Sequence, residues 1–238
     1  MAQVINTNVG ALFAGSALNK SANALQVAQS RLSSGLRINS AKDDATGLTI
    51  ATGYDSQIRG TNMAIRNAND GISKAQTNDG YAAQITENLQ RLREIAVQLG
   101  GTASGTEATE LVKENARLAG KTAAIGNVSS DANGGVIATV SAAVTAPTGL
   151  TIAAIDTDIG SVATSRANYG ADMVSLGSAV SGMQTASVNL SASYSRVMDT
   201  DYAAESASMT RNNILQQAGT AVLSQANQTP NSVLGLLR

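Results

Sequence analysis

Apolar residues recur at intervals of seven along much of this chain of 238 residues. The clearest series are Leu18, Leu25 and Leu32, then Ile58, Ile65 and Ile72, and near the C-terminus Leu176, Met183, Leu190 and Val197. A seven-residue repeat places apolar side chains on one stripe of an α-helix, where they can pack against a second helix. The sequence therefore predicts long, paired helices in both halves of the chain.

Two interruptions divide this pattern. The turn-forming residues 78–80 are followed by a repeat in a new phase that ends at the glycine pair 100–101, and a third helix is predicted from about Glu107 to Ile125. From 122 to 165 the chain has no Lys or Arg, and β-branched residues around Pro147 predict a small hairpin. The predicted fold is mainly α: a long coiled-coil helical hairpin rod formed by the N- and C-terminal helices, with a small β-hairpin insert.

The composition excludes most catalytic chemistry. The chain has no histidine and no cysteine, which removes imidazole bases, thiol nucleophiles and the usual zinc ligands. It has no nucleophile elbow, no Ser-x-x-Lys pair and no glycine-rich phosphate loop after a strand. A net charge of -1 gives no electrostatic footprint for nucleic acid. We predict that the chain is not an enzyme and has no cofactor and no nucleic-acid partner.

Three aspartate pairs are the candidates for a metal site. They are Asp43 with Asp44, Asp156 with Asp158, and Asp199 with Asp201. A calcium loop needs five or six oxygen ligands within about twelve residues, and none of these pairs supplies that density. Turns and helix starts are the favoured roles for these carboxylates.

Both ends of the chain are almost free of charge. Residues 1–30 carry only Lys20, and residues 212–237 carry no charge, although both stretches have apolar residues at helical spacing. The asparagines of the N-terminus leave neither a secretory signal core nor a membrane-spanning helix. Because a helix without charges is poorly suited to water, we expect both ends to become ordered when the chain assembles with copies of itself.

Three blocks of sequence closely resemble bacterial flagellin. They are RLSSGLRINSAKDDATGLTIA at 31–51, LQRLREIAVQ at 89–98 and ILQQAGTAVLSQANQTPNSVLGLLR at 214–238. The similarity covers about 1–118 and 155–238, with the blocks in the order that the family shows. The resemblance implies a structural subunit of the bacterial flagellar filament, which self-assembles through its terminal helices into a helical tube that transmits motor torque for swimming. The short middle segment implies a short form without a large variable outer domain.

The resemblance also implies a division into domains. An inner terminal coiled-coil domain is expected at 1–42 and 198–238, and an outer helical rod domain at 43–197, with its β region at about 128–160. The inner-core assembly residues are expected to be Ile5, Leu12, Phe13, Leu215, Val222 and Leu223. The junction between the inner and outer domains is expected at Lys42, Asp43, Asp44 and Asp199.

One strip of the outer domain has two readings. By resemblance, Arg91, Ile95, Gln98 and Glu114 form an axial contact between subunits, and the same residues match the contact with the vertebrate toll-like receptor for flagellin. Arginine and glutamate around an apolar anchor are common at interfaces. The structural reading is favoured, because helix packing accounts for most such faces.

The family also implies partners and a location. The expected partners are other copies of the chain, the flagellar export machinery with its chaperone, and the filament cap and hook-associated proteins. The expected location is the extracellular filament, reached without a cleaved signal peptide, and no membrane insertion is expected. The alternative function is a hook-filament junction or other flagellar axial protein, and the block at 214–238 favours the filament subunit.

Overall fold

A computed structural model describes residues 7–122, 126–129, 136–140, 143–147 and 149–235. In chain order the elements are α1 (Val9–Ser34), α2 (Ala45–Gln98), α3 (Thr106–Ala119), β1 (Gly126–Ser129), β2 (Val136–Val140), α4 (Ile152–Met198) and α5 (Tyr202–Gly235). The predicted mainly α class, with long N- and C-terminal helices that pack together, is confirmed. The chain divides into two units, one formed by Met1–Gly53 with Ser193–Arg238 and the other by Tyr54–Ala192.

Helix α2 runs without a break through the turn predicted at 78–80, so that prediction is wrong. From Thr61 to Ala96 it has a series of buried positions at alternating intervals of three and four residues: Thr61, Ala64, Ala68, Gly71, Ala75, Asn78, Ala82, Ile85, Leu89, Leu92 and Ala96. This is a continuous heptad seam in a single phase. The apolar series through Ile58, Ile65 and Ile72 lies beside the seam and is only partly buried. The apparent change of phase arose because the seam consists of small and polar residues in this stretch.

Helix α4 supplies the facing seam of the second unit. Its fully or nearly fully buried residues are spaced by seven: Ile155, Val162, Tyr169, Leu176 and Met183. The first three pack with Ile85, Leu89 and Leu92 in one core, and the last two pack with Ala64 and Ala68 in another. Around Leu176 and Met183, large side chains of α4 therefore face small side chains of α2, which lets the two helices approach closely there.

Helix α3 covers one end of this unit. It begins at Thr106, close to the predicted start, but ends at Ala119 rather than Ile125. Gly120 follows, and the hydroxyl of Thr122 donates to the carbonyl of Ala119 while it accepts from the amide of Val144. The first of these bonds satisfies a carbonyl that the end of the helix otherwise leaves unpaired, and the second ties residue 144 to the same hydroxyl.

The two strands form an antiparallel pair with Gly126 opposite Val140 and Val128 opposite Ala138. The predicted β region, about 128–160, extends too far along the chain, because residues from Ile152 onward belong to α4. An isolated antiparallel bridge between Thr102 and Thr151 lies at the start of that helix, and the Ala103 amide donates to the Leu150 carbonyl at 2.7 Å. In the parts of the chain that the structure describes, no helix is long and apolar enough to cross a membrane.

Candidate assembly surface

Helices α1 and α5 pack against each other through small residues in the first unit. The buried positions of α1 are Ala14, Ser21 and Ala28, again seven apart. On α5, Gly219 lies so close to Leu18 that an added Cβ would sit 3.3 Å from its Cδ1 atom. The side-chain amide of Asn8 donates to the carbonyl of Ala226 at 2.8 Å, which fixes the start of α1 on α5. The contact therefore leaves several large apolar residues of both helices exposed.

These large residues are unusually exposed. Phe13 is 78% exposed, Leu12 is 66% exposed, and Leu215 and Val222 are each more than half exposed. We call the following six side chains the outward apolar residues: Val9, Leu12, Phe13, Ile214, Leu215 and Val222. Leu223 is half-buried, and Ile5 lies outside the described residues. The chain thus does not bury Leu12 and Phe13 against Leu215 and Val222; it presents them to the surroundings.

A shallow groove of about 620 Å³ runs along α5 beside some of these residues. It is lined by Ala203, Ser206, Ala207, Thr210, Arg211, Ile214 and Leu215. Its floor is mostly apolar, and Arg211 is its only charged lining residue. Such a groove suits an apolar ridge of another helix.

The turns between the helices of this unit are held together by the backbone. Leu36 forms an antiparallel bridge with Asp199, the Arg37 amide donates to the Met198 carbonyl at 2.6 Å, and the Thr200 amide donates to the Gly35 carbonyl. The Arg37 guanidinium donates to the Val197 carbonyl at 2.7 Å. Beneath these bonds lies a small core of Ile38, Ala51 and Met198. The sequence analysis missed Leu36, Arg37 and Ile38, although all three lie in the block at 31–51.

The predicted junction carboxylates make local contacts. Asp43 accepts from the Asn39 and Ser40 amides and from the Ser40 hydroxyl, and the Ser40 bonds are the main cause that lowers the pKa of Asp43. Asp44 accepts from the Gly47 amide at 2.8 Å and so caps the start of α2. Within the described residues, neither carboxylate nor Lys42 makes a hydrogen bond or ion pair with Asp199. Asp199 joins the junction through its backbone alone.

Two more of the aspartates considered as metal ligands, Asp201 and Asp156, have other partners in the structure. The Asp201 side chain accepts from the Ala203 and Ala204 amides at 3.0 and 3.2 Å, and so it caps α5 as a helix start should. Asp156 pairs with Arg93 at 2.7 Å. Among the residues that the structure describes, no group of three or more acidic side chains is placed to hold a metal ion.

The strip that was predicted on the second unit is only partly brought together. Arg91 lies on the surface, where it pairs with Glu107 of α3 at 2.8 Å and with Glu94 at 3.0 Å; both bonds raise its pKa, the one to Glu107 more. Ile95, however, is buried in the core. Its side chain supports the strip from below and does not offer an apolar anchor at the surface.

Glu114 makes its ion pair within α3. It accepts hydrogen bonds from Arg117 on its own helix, and these bonds lower the pKa of Glu114. Gln98 is exposed at the last position of α2. Sequence spacing could not show that Glu107, rather than Glu114, pairs with Arg91, because the turn between α2 and α3 sets that choice.

Comparison with known proteins agrees with this architecture. The bacterial flagellin N-terminal helical region matches residues 5–145, and the bacterial flagellin C-terminal helical region matches residues 152–237. A flagellin of Halalkalibacterium halodurans is 37% identical over 99% of this chain and 100% of its own length. One of Bacillus subtilis is 32% identical over 98% of this chain and 99% of its own length. One of Salmonella typhimurium is 50% identical, but over only 51% of this chain and 26% of its own length. The chain belongs to the bacterial flagellin family.

Proposed function

We propose that this structural subunit of the flagellar filament assembles by burying its outward apolar residues against other copies of the chain. The observation that carries the proposal is the exposure of Phe13, Leu12 and Leu215 on helices that already pack together through small residues. Exposed apolar patches of this kind on folded proteins mark interaction surfaces. Contacts between different surfaces of identical subunits do not close on themselves, and they generate an open helical polymer.

Charge supports the same surface. Lys20 is the one charged residue of 1–30, and 212–237 has none, so very few ionic groups would have to lose water when these helices are covered. Burying a large apolar side chain contributes about 1.5–3 kcal/mol.

The test is reassembly of a Phe13→Asp variant. The protein is dissociated by heat and then reassembled in ammonium sulfate, which favours apolar burial, and filaments are counted by negative-stain electron microscopy. Because Phe13 is 78% exposed in the single chain, the variant should keep its helix content yet remain unpolymerised, since assembly would bury an unpaired carboxylate. Leu223→Asp should have the same result.

Phe13→Leu is the matched control, because it keeps an apolar side chain at the same position. It should form filaments like those of the parent chain. Normal filaments from Phe13→Asp would overturn the proposed surface. Failure of the parent chain itself to form long filaments, even with seeds, would favour the hook-filament junction or another axial role.

We further propose that residues 35–44 and 197–200 form the junction between the inner domain, 1–42 with 198–238, and the outer domain, 43–197. The support is the set of backbone bonds around Leu36 and Asp199 and the carboxylate turn at Asp43. Lys42, Asp44 and Asp199 complete this junction. An Asp43→Ala variant should change filament waveform, and unchanged swimming and waveform would refute this role.

Arg91, Ile95, Gln98 and Glu114 are proposed to form an axial contact in the filament, and the same strip is the proposed contact for the toll-like receptor. Exposed ion pairs of Arg91 with Glu94 and Glu107 support a polar interface with Ile95 packed beneath it. The remaining proposed partners are the export machinery with its chaperone, the cap and the hook-associated proteins. No catalytic activity is proposed.

A further inference from the structure

The seam between α2 and α4 repeats so regularly that apolar burial alone defines its register poorly. On α4 the buried residues recur every seven positions from Ile155 to Met183, and on α2 the seam continues in one phase from Thr61 to Ala96. A slide of one helix along the other by seven residues brings each α4 side chain opposite another position of the same stripe. Other groups must therefore select the register.

Three cross-helix contacts show which residues lie level with each other, and one of them is the Arg93–Asp156 pair described above, at 2.7 Å. Asp79 pairs with Arg166 at 2.8 Å, and Asn62 lies 3.3 Å from the Ser187 hydroxyl. Counting along both antiparallel helices from these contacts places Asn78 level with Tyr169. Both side chains are buried, with Asn78 3% exposed and Tyr169 not exposed at all. They form one polar layer in a seam whose neighbouring layers are apolar.

The seam positions seven residues before and after Asn78 show what would oppose a slide of one helix along the other. A slide in one direction puts Tyr169 opposite Ile85, where two large side chains would compete for one space. A slide in the other direction puts Tyr169 opposite Gly71, which leaves room, but it places the Asn78 amide against Val162. A buried amide that faces only aliphatic carbon loses its hydrogen bonds. The second slide is therefore opposed mainly by polarity.

We propose that the Asn78–Tyr169 layer selects the register in which α2 and α4 pair. A polar residue at one core position of paired helices fixes register at some cost in stability. The Asp79–Arg166 and Arg93–Asp156 pairs are partly exposed, and such pairs discriminate weakly. The backbone bonds of Ala103 and Thr151 hold only the far end of the seam, about six helical turns away.

The absence of cysteine from the chain allows a direct test. A full-length Asn62→Cys and Ser187→Cys variant should form an intramolecular disulfide in the native register, since these side chains are in contact. A second variant, with Asn62→Cys and Val180→Cys, should form its disulfide in the register that is shifted by seven residues. Adding Asn78→Leu should raise the shifted disulfide about tenfold or more in dilute monomer, because the unsatisfied amide no longer opposes the slide. Helix content should stay the same by circular dichroism.

Thr61→Val is the matched control. Thr61 is also a buried polar residue of the seam, but its hydroxyl donates to the Gln57 carbonyl of its own helix at 2.8 Å, so its loss should leave the shifted disulfide unchanged. If Asn78→Leu does not fold, Tyr169→Phe decides, because it removes one hydroxyl at nearly constant volume and should also raise the shifted disulfide. The proposal is overturned if every folded variant at these two positions gives only the native disulfide.

Discussion

Truncation of Leu89 tests whether the seam of α2 holds the second unit together. Leu89 is fully buried in the core that joins α2 to α4. Leu89→Ala removes three methylene-sized groups, which lose roughly 2.4 kcal/mol at about 0.8 kcal/mol each. The cavity that remains brings the expected loss in unfolding free energy to about 3–5 kcal/mol. In a unit of this size, a loss of about 3 kcal/mol lowers Tm by roughly 6–12 °C.

The assay is urea unfolding of the monomer, followed by circular dichroism, with Val97→Ala as the matched control. Val97 lies on the same helix but is 57% exposed, so its truncation should change the free energy of unfolding by less than about 0.5 kcal/mol. The urea midpoint of Leu89→Ala should fall while its slope stays unchanged. If the two variants unfold at the same urea concentration, burial of Leu89 in the seam does not stabilise the second unit.

Two other predictions concern the cap of α5 and the one fully buried tyrosine. Asp201→Ala should destabilise the first unit by about 1 kcal/mol, because the Ala203 and Ala204 amides lose their acceptor. Urea unfolding measures this loss of free energy, with Asp201→Asn as the conservative control. Burial, and secondarily the charge of Asp172, raises the pKa of Tyr169 above its usual 10.0. The stability that depends on a neutral Tyr169 is present below about pH 10 and is lost as pH rises through the folded-state pKa. Alkaline unfolding should therefore coincide with the ionisation of Tyr169, followed by absorbance. Tyr169→Phe should move the alkaline unfolding transition to higher pH.

The helices of this fold could be predicted from sequence wherever the seam residues are large. The series at Leu176 and Met183 identified α4 correctly, because both residues are buried where the pattern placed them. The same method failed at 78–80, since Gly71, Asn78 and small alanines fill the seam of α2 there. A glycine costs about 1 kcal/mol in a helix. The surrounding buried layers offset that cost, and local turn chemistry gave no sign of them.

The candidate surface was only partly predictable for a related reason. Lack of charge at both ends of the chain identified the helices that need a partner, but it could not show which residues those helices use on each other. Ala14, Ser21 and Ala28 make the contact within the chain, and Gly219 accommodates Leu18. Several large apolar residues remain exposed and are the proposed contacts with other copies of the chain. Side-chain size therefore contributes, with hydrophobicity, to separating the two roles.

This separation has a consequence for how the filament can be both stable and reversible. The buried positions of α1 are the small residues Ala14, Ser21 and Ala28, and each contributes less burial free energy than a large apolar side chain would. In the proposed assembly, the outward apolar residues are buried when copies meet, and this burial would stabilise the helices and the polymer in the same step. Assembly should therefore depend steeply on concentration and on salts that strengthen apolar burial. Variants that enlarge Ala14 or Ala28 should weaken the polymer indirectly, through the helix pair that presents the apolar surface.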